Sequence, residues 1–371
     1  MSVLKSTSLL LKISGCYLPH SWTTPFERSL YNIYGVFSFL LLSSLVLSQI
    51  LDVAINVESQ DDFSDNFSVT AVVFLTWFKL SILLIRRGNF IFLIDTLQNK
   101  PFSPVDTEEN EIRAKFEKIT EWNTIGYWSL LLISTFFIYV RSLLIDFSNR
   151  KLMFRAWIPY DYSPAPIFIL TFVHQAIAAT ICCTSSVTVD SLYTGLLINI
   201  YCQFEILEHR LRNVKTEQDD SVKQCAQHHD RIYQFSKKVN EEFKLILISQ
   251  FCISMSVICF NLYRMTQIKM DTKFVEIILY SFCTITQIFY YCWYGNEVKD
   301  KSLQLPYMIF HSDWTSLNNN VTRALLIMMR RAVRPIEFTS IHVVSVNLES
   351  FMAVIKTSYS AFNMIQQSKQ S

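Results

Sequence analysis

Residues 30–51, LYNIYGVFSFLLLSSLVLSQIL, decide the fold because no charged side chain interrupts them. A helix needs about 20 residues to cross the roughly 30 Å hydrocarbon core of a bilayer. This stretch is therefore long enough to form a membrane helix. Residues 1–29 lack a compact apolar core followed by a small-residue cleavage site. We predict that the first run is an anchor and that no cleavable signal peptide precedes it.

Further apolar runs of similar length follow along the chain. They lie at 67–85, 122–140, 162–189, 245–263, 277–296 and 338–355. Lys79 interrupts the first of these, and the last is weaker because Glu349 lies inside it and Lys356 follows it. Counting residues 30–51, the sequence predicts an all-α protein with seven transmembrane helices.

The composition agrees with a membrane protein and excludes several other classes. Hydrophobic residues make up 51% of the chain and charged residues 17%, against roughly 25% charged in soluble domains. Only six glycines occur in 371 residues, which leaves little material for phosphate-binding loops. The net charge of +2 gives no polyanion-binding surface, so nucleic acid is not expected as a partner. No nucleophile, metal or nucleotide motif stands out, and we predict neither an enzyme nor a cofactor.

The charges that flank the spans predict the orientation of the chain. Residues 52–66 are acidic without a single basic side chain, whereas arginines close the second span at 86–87 and precede the seventh at 330–334. Cytoplasmic loops are usually enriched in Lys and Arg. We predict a multi-pass plasma membrane protein with a cytoplasmic N-terminus and an extracellular C-terminus. The basic residues of 141–155 oppose this orientation.

Two glycosylation sequons begin at Asn66 and Asn320. In the predicted orientation Asn66 lies outside, too close to the membrane to be modified, and Asn320 lies inside and stays bare.

A G-protein-coupled receptor is an alternative that would need the opposite orientation. The first three predicted outer loops contain no cysteine, Tyr139-Val140-Arg141 places no acid before the arginine, and the seventh run contains no NPxxY. The nine cysteines lie in spans or on the predicted cytoplasmic side. We therefore predict that they are small buried hydrophobic residues and not a disulfide framework.

Three amphipathic stripes lie in the predicted cytoplasmic segments, with apolar residues every three or four positions. The stripes are Ile200, Phe204, Leu207, Leu211 and Val214; Ile232, Phe235, Val239, Phe243 and Ile246; and Leu317, Val321, Leu325, Met328 and Ala332. Each stripe needs a partner surface, so we predict that they hold subunits together, the third stripe in particular. An ordinary loop with local helices is the alternative.

The chain is thus divided into four predicted parts. Residues 1–29 form a cytoplasmic N-terminus, and residues 30–296 contain the first six spans with extended cytoplasmic helices at 190–244. A cytoplasmic anchor helix follows at 297–337. Residues 338–371 form the last span and an extracellular C-terminus.

The last span carries a polar face, on which Ser345, Glu349, Lys356, Ser360, Asn363 and Gln367 recur at helical spacing. A charge in the middle of a bilayer costs roughly 2.5 to 3.5 kcal/mol on the insertion scale. This face is therefore predicted to meet water or other helices. Glu349 and Lys356 are as compatible with a buried pair as with a pore, whereas Ser360, Asn363 and Gln367 favour a pore.

Three isolated features have simple structural interpretations. We predict that the ammonium group of Lys79 reaches the headgroup region at the cytoplasmic end of its span. His174 is interpreted as an interhelical hydrogen-bonding residue. His228 and His229 point apart on a helix and are predicted to lie on a solvated face.

Five segments near the C-terminus occur in a family-specific order. They are 290–297 (YYCWYGNE), 311–314 (HSDW), 326–335 (LIMMRRAVRP), 348–351 (LESF) and 355–360 (IKTSYS). Together they resemble the C-terminal signature of insect odorant receptors over about 70 residues. The related gustatory receptors, another alternative, end with Thr-Tyr, five apolar residues and Gln. Here Ser358-Tyr359 is followed by Ile365 at the Gln position, which counts against them.

The resemblance implies a ligand-tuning subunit that assembles with the odorant coreceptor. Such an assembly is a heterotetrameric, ligand-gated, non-selective cation channel in the dendrite of a sensory neuron. The last helix would line the pore, with the hydrophobic gate near Met364. The chain lacks the long second cytoplasmic insertion of the coreceptor itself.

The resemblance also places an odorant pocket among spans two, three, four and six, in the outer half of the membrane. The residues expected there are Thr70, Val73, Phe74, Trp77, Phe136, Phe137, Tyr139, Phe168, Phe172, Tyr280, Phe282 and Cys283. None carries a formal charge, so we predict a small, mostly apolar, neutral volatile ligand. For any single aromatic residue in this set, helix packing or lipid contact is the alternative.

Overall fold

The helices of this protein are much longer than a bilayer is thick. The computed structural model describes residues 4–17, 24–57, 60–213, 219–268, 270–311, 318–340 and 344–370. The α-helices in these ranges are α1 (Lys5–Ile13), α2 (Pro25–Ile55), α3 (Gln60–Ile85), α4 (Arg87–Thr96), α5 (Thr107–Arg141), α6 (Ala165–Arg212), α7 (Asp219–Gln267), α8 (Thr272–Phe310), α9 (Asn319–Ala332) and α10 (Leu348–Gln370). A π-helical turn, Ser142–Asp146, continues α5, and β1 (Thr339–Ser340) pairs antiparallel with β2 (Val344–Ser345).

Local sequence explains where several of these helices begin. The Thr24 hydroxyl accepts a hydrogen bond from the Glu27 backbone N–H at 3.3 Å. The Asp106 carboxylate accepts one from the Glu109 N–H at 2.7 Å, and Asp271 caps α8 in the same way. Such caps satisfy the amide groups of a first helical turn that have no partner inside the helix.

Six described helices are long and apolar enough to cross a membrane, namely α2, α3, α5, α6, α7 and α8. Five of them contain one of the predicted apolar runs in full, and α6 contains the run 162–189 from residue 165 onward. At 23 residues, α10 is about 34 Å long and is the seventh and least apolar member. The protein is therefore a polytopic helical membrane protein, as predicted.

The predicted bounds of the seventh span were wrong. Residues 339–340 and 344–345 form the paired strands β1 and β2, and the helix begins only at Leu348. Val346, directly after β2, lies against α8 at Gly295, where an added Cβ would collide with the Val346 carbonyl oxygen. The predicted separate anchor helix at 297–337 is also different, because α8 continues without a break to Phe310.

The bundle has two ends. At one end, which we call the Asp65 end, the chain connects α2 to α3, α5 to α6 and α7 to α8. Ion pairs join neighbouring helices there: Arg264 with Asp65 at 2.8 Å, Arg141 with Glu276 at 2.8 Å, and Arg155 with Asp62 at 2.6 Å. The other end, which we call the Arg210 end, contains the extensions of α6, α7 and α8 together with α9.

The amphipathic stripes at the Arg210 end pack on one another within this chain. Ile200, Phe204, Phe243 and Ile246 are at most 1% exposed and belong to one continuous apolar core. Val214 lies outside the described residues. The partner surface that each stripe needs is thus largely supplied by the other stripes.

The third stripe is also buried within this chain. This corrects the prediction that its residues form the subunit contact. Val321, Leu325, Met328 and Ala332 are at most 5% exposed, and α9 packs on α7 and α8. Leu317 lies outside the described residues. Because the apolar face of α9 is filled from within the chain, a partner subunit would meet the other faces of this helix.

A buried polar cluster holds the Arg210 end together. The Arg210 guanidinium donates to both carboxylate oxygens of Glu109, at 2.7 and 2.8 Å. Its Nη1 also lies 3.2 Å from His228 Nδ1, and His228 Nε2 lies 2.9 Å from Gln203 Oε1. The carboxamide oxygen must accept from Nε2–H, so His228 is neutral with Nδ1 as an acceptor. His228 and His229 are 0% and 2% exposed, which corrects the predicted solvated face.

These contacts predict a pH-dependent stability. Burial and the nearby Arg210 guanidinium lower the pKa of His228 to about 3, against roughly 6.5 in the unfolded chain. The stabilising effect of the neutral ring is complete above pH 6.5 and is lost as the pH falls toward 3. Its loss at pH 5 is on the order of 2 kcal/mol.

We therefore expect the thermal unfolding temperature of the detergent-solubilised protein to fall between pH 7.5 and 5. The variant His228→Gln can keep both hydrogen bonds and should flatten this dependence. The exposed His311 provides the matched control, since His311→Gln should leave the pH profile unchanged. A profile that is identical in wild type and His228→Gln would contradict the assignment.

Candidate functional site

A cavity of about 270 Å³ lies inside the bundle near the Asp65 end. Its wall is formed by α2, α3, α5, α6 and α8, which include all four spans predicted to hold the pocket. The residues that face it are Leu45, Gln49, Asp65, Asn66, Val69, Thr70, Val72, Val73, Thr76, Leu131, Ser134, Thr135, Ile138, Arg141, Met153, Phe154, Arg155, Ala179, Cys182, Cys183, Ser186, Arg264, Lys273, Glu276, Ile277 and Tyr280. A concave, mostly apolar space with a few polar groups is the usual form of a small-molecule site.

The loop between the π-helical turn and α6 closes the cavity at the Asp65 end. The Gln175 side chain accepts from the Phe154 N–H at 3.1 Å and donates to the Phe154 carbonyl at 3.0 Å. The Trp157 N–H donates to the carbonyl of Ser48 on α2 at 2.9 Å. Phe154 is thereby held over the cavity by backbone contacts.

The lining contains charged residues, whereas the predicted pocket had none. Asp65, Arg141, Arg155, Arg264, Lys273 and Glu276 all face the cavity. They lie where the helices end, and the three arginines are paired with carboxylates across neighbouring elements. The rest of the wall, built from side chains such as Val73, Leu131 and Ala179, carries no formal charge.

Three of the twelve predicted pocket residues, Thr70, Val73 and Tyr280, line the cavity. Phe136, Phe137 and Phe282 are instead 65%, 49% and 56% exposed and point out of the bundle. The other six also lie away from the cavity wall; they are Phe74, Trp77, Tyr139, Phe168, Phe172 and Cys283.

Helix rotation is the reason for these differences. Phe168 and Phe172 pack with Phe147 and Met153, and Phe74 and Trp77 pack against each other and against Phe39. Depth in a membrane can be read from a sequence, but the face that each helix turns toward the cavity depends on its neighbours.

The buried carboxylate of Asp190 connects four helices, α3, α5, α6 and α8. Lys79 Nζ on α3 lies 2.7 Å from Asp190 Oδ1 on α6. The hydroxyl of Tyr291 on α8 donates to Oδ1 at 2.6 Å, and that of Tyr127 on α5 lies 3.3 Å from Oδ2. Gln287 on α8 donates to Oδ2 as well. We call this set of residues, with Ser186, the Asp190 network.

The Asp190 network corrects the prediction for Lys79. This side chain is 0% exposed and Asp190 is 3% exposed, so the ammonium group does not reach the headgroup region. A lysine inside an apolar run requires an acidic partner at the same depth. Asp190, directly after the fourth run, is the sequence signal that could have identified the pair.

Hydrogen bonds connect the cavity wall through this network to α7, and α7 in turn contacts the last helix. Ser186, which faces the cavity, donates to Asp190 Oδ2 at 3.3 Å. Gln250 on α7 donates to Gln287 Oε1 at 2.8 Å. Farther along α7, the Ser358 hydroxyl of α10 donates to the Met255 carbonyl at 3.1 Å.

The polar face of α10 is left uncovered by the rest of the chain. Met364 is 72% exposed, Ser360 and Gln367 are exposed, and Asn363 is half-buried. The opposite face packs on α7, where Phe362 meets Cys259 and Tyr263. Glu349 and Lys356 are exposed too.

His174 has the kind of contact that was predicted. Its Nε2 atom lies 2.9 Å from the hydroxyl of Ser44 on α2, so it joins two helices by a hydrogen bond.

Comparison with known proteins agrees with this architecture. The family model described as 7tm Odorant receptor matches residues 59–359. Odorant receptor 46a, isoform A, of Drosophila melanogaster is 25% identical over 74% of this chain and 74% of its own length. Odorant receptor 10 of Aedes albopictus is 24% identical over 59% of this chain, and the aligned region spans 60% of that relative.

A solved structure has the same fold. The insect olfactory receptor OR5 from Machilis hrabei, in complex with eugenol, superimposes with a TM-score of 0.86 at 18% identity. The superposition covers 98% of this chain and 97% of that receptor. A seven-helix membrane receptor is thus the class that the fold and the cavity define. Within that class, the chain belongs to the 7tm odorant receptor family.

Proposed function

We propose that this protein is the ligand-binding subunit of an odorant-gated, non-selective cation channel that it forms with the odorant coreceptor in the plasma membrane. One observation supports this most strongly. The cavity among α3, α5, α6 and α8 is connected by the Asp190 network to α7, which packs against the polar last helix. A ligand that changes the positions of the cavity helices can therefore move α10.

The exposed polar face of α10 supports a channel. Ser360, Met364 and Gln367 are exposed and Asn363 is half-buried in the single chain, and a polar helix face is unfavourable in lipid. Several subunits arranged around a common axis would turn these faces toward water. The hydrophobic Met364 would then narrow the water path.

Exposed apolar side chains at the Arg210 end support assembly with other subunits. Tyr307 and Phe310 of α8 are 66% and 61% exposed, and Ile327 of α9 is 64% exposed. Large exposed apolar groups outside the bilayer are typical of protein interfaces. Subunit contact is thus proposed for the outward surface of α8 and α9, opposite the buried stripe.

The cavity supports a small, neutral and mostly apolar volatile ligand. The arginines at its rim are paired with carboxylates, so an anion that binds one of them would have to displace an existing ion pair. An uncharged molecule can instead contact the apolar side chains and hydroxyl groups of the wall without breaking an ion pair.

The functional test is current recording from cells that express this chain with and without the odorant coreceptor, against a panel of volatiles. Currents are expected only from the combination. The variant Val73→Trp fills the cavity and should abolish the response while the protein still reaches the cell surface. Phe137→Trp is the matched control, because Phe137 points out of the bundle, and it should respond like the wild type. A second-messenger response without the coreceptor would contradict the proposal and favour a G-protein-coupled receptor.

Orientation is tested by epitope tags on intact cells. In the proposed orientation a C-terminal tag is accessible to antibody and an N-terminal tag becomes accessible only after permeabilisation. Asn66 is 8% exposed and its amide donates to Asp52 at 3.0 Å, so it should carry no glycan although it lies at the outer end. A glycan at Asn320 would contradict this orientation.

A further inference from the structure

The cavity contains a buried polar group that the protein itself does not satisfy. Gln49 on α2 lines the cavity and is 2% exposed. Its Oε1 atom has no hydrogen-bond partner among the described residues. Buried polar atoms in proteins are nearly always paired, and an unpaired one is unfavourable. Because Gln49 lines the cavity, its unpaired amide oxygen is a candidate for contact with a ligand.

Three hydroxyl groups on the cavity wall have partners within the protein. Thr76 donates to the Val72 carbonyl at 3.0 Å, and Thr135 donates to the Leu131 carbonyl at 2.8 Å. Ser186 donates to Asp190. These hydroxyl groups therefore present mainly their methyl or methylene surface and their remaining lone pairs to a ligand.

The other buried glutamines also differ from Gln49. Gln175 exchanges two hydrogen bonds with the backbone of Phe154. Gln203 accepts from His228 and donates to a carbonyl. Gln250 donates to Gln287 through its amide nitrogen, although its own Oε1 atom also has no partner among the described residues. Their amides join elements of the fold, whereas the described structure gives the side chain of Gln49 no such bond. A purely structural role does not explain a glutamine at this position.

We propose that Gln49 is the polar recognition point of the cavity and that the receptor is tuned to small neutral alcohols. This inference rests on the proposed function and specifies its ligand class. A hydroxyl group can donate to the amide oxygen and accept from the amide nitrogen, so it matches both ends of the side chain. The apolar wall takes the hydrocarbon part of the same molecule. Gln49 lies on α2, which was not among the spans predicted to hold the pocket.

The expected preference for an alcohol over a hydrocarbon follows from the hydrogen bond that the alcohol gives to one buried acceptor. Leaving such a group unsatisfied in a filled cavity is expected to weaken binding about tenfold relative to a ligand that satisfies it. Two pairs of probes isolate this difference, since a methyl group replaces the hydroxyl in each. They are 1-hexanol with heptane, and 2-phenylethanol with propylbenzene.

Binding is measured as the increase in thermal stability of the purified receptor with each probe, and gating as current from cells that also express the coreceptor. In wild type, at least one alcohol should bind about tenfold more tightly than its hydrocarbon. The variant Gln49→Met should remove this preference while hydrocarbon binding is kept or improved. Gln98→Met, at an exposed glutamine, is the matched control and should preserve the preference.

The outcomes separate this inference from the proposed function. A preference in binding that depends on Gln49, without any current, supports alcohol recognition and contradicts the channel proposal. The inference is overturned if no alcohol stabilises the wild type more than its hydrocarbon, or if Gln49→Met keeps the preference. Retained hydrocarbon binding by Gln49→Met shows that this variant is folded.

Discussion

Replacing Asp190 with leucine is expected to prevent this protein from reaching the cell surface. Asp190 accepts hydrogen bonds from side chains on four helices, including the fully buried ammonium group of Lys79. Removing the carboxylate leaves that charge and several donors without partners. Loss of one member of a buried ion pair costs about 3 to 5 kcal/mol, which is a large fraction of the stability of most domains.

Surface labelling of a tagged receptor and thermal unfolding in detergent measure this effect. The double variant Lys79→Met with Asp190→Leu should recover part of the lost expression, because it removes the uncompensated charge. Tyr291→Phe removes only one neutral donor and should cost about 1 kcal/mol.

Asp62 provides the matched control for a charge at the protein surface. Its ion pair with Arg155 is exposed, with 45% of the arginine and 39% of the aspartate side chain accessible. Exposed pairs contribute little to stability, so Asp62→Asn should leave expression unchanged. Wild-type expression of Asp190→Leu would show that the network is dispensable for folding.

Replacing Met364 with cysteine is expected to make the channel sensitive to a positively charged methanethiosulfonate reagent. The side chain is 72% exposed on the polar face of α10, where the proposed pore would be narrowest. A cation attached covalently at this point should repel permeating cations and block most of the ligand-evoked current. The measurement is the current before and after reagent application to cells that also express the coreceptor.

Phe362 is the control on the same helix. It is 8% exposed and packs against Cys259 and Tyr263 of α7, so Phe362→Cys should be protected from the reagent. The wild-type chain serves as the second control because Cys252 is an exposed native thiol. Equal block of Phe362→Cys and Met364→Cys would argue against a pore on the Met364 face.

The lengths of the apolar runs were enough to predict the membrane helices. They did not show what each helix packs against. The uncharged stretch 30–51 lies within α2, and the five runs that follow coincide with parts of α3 and α5 to α8, except that the run 162–189 begins three residues before α6. The last run, 338–355, gave the wrong start for α10, because residues 339–340 and 344–345 are paired strands and the helix begins only at Leu348. Hydrophobicity indicates that a segment is buried and does not distinguish burial in lipid from burial in protein.

The sequence indicates how deep a residue lies in the membrane, but it does not indicate which way its helix is rotated. Predicted pocket residues were therefore correct only where the side chain also turns toward the cavity. Thr70, Val73 and Tyr280 face the cavity, whereas Phe136 and Phe137 lie at the predicted depth and face away. Gln49 was missed altogether, since nothing in the sequence shows that its amide lacks a partner.

The sequence by itself determined that the chain is helical, crosses the membrane repeatedly and belongs with insect odorant receptors, because these properties follow from run length, composition and ordered local motifs. Tertiary structure alone decided which helix faces meet. That decision pairs Lys79 with Asp190, buries the third stripe within its own chain and leaves Gln49 facing an empty volume. The physical reason is that a side chain's partner depends on the rotation of two packed helices, which residues far apart in the sequence set together.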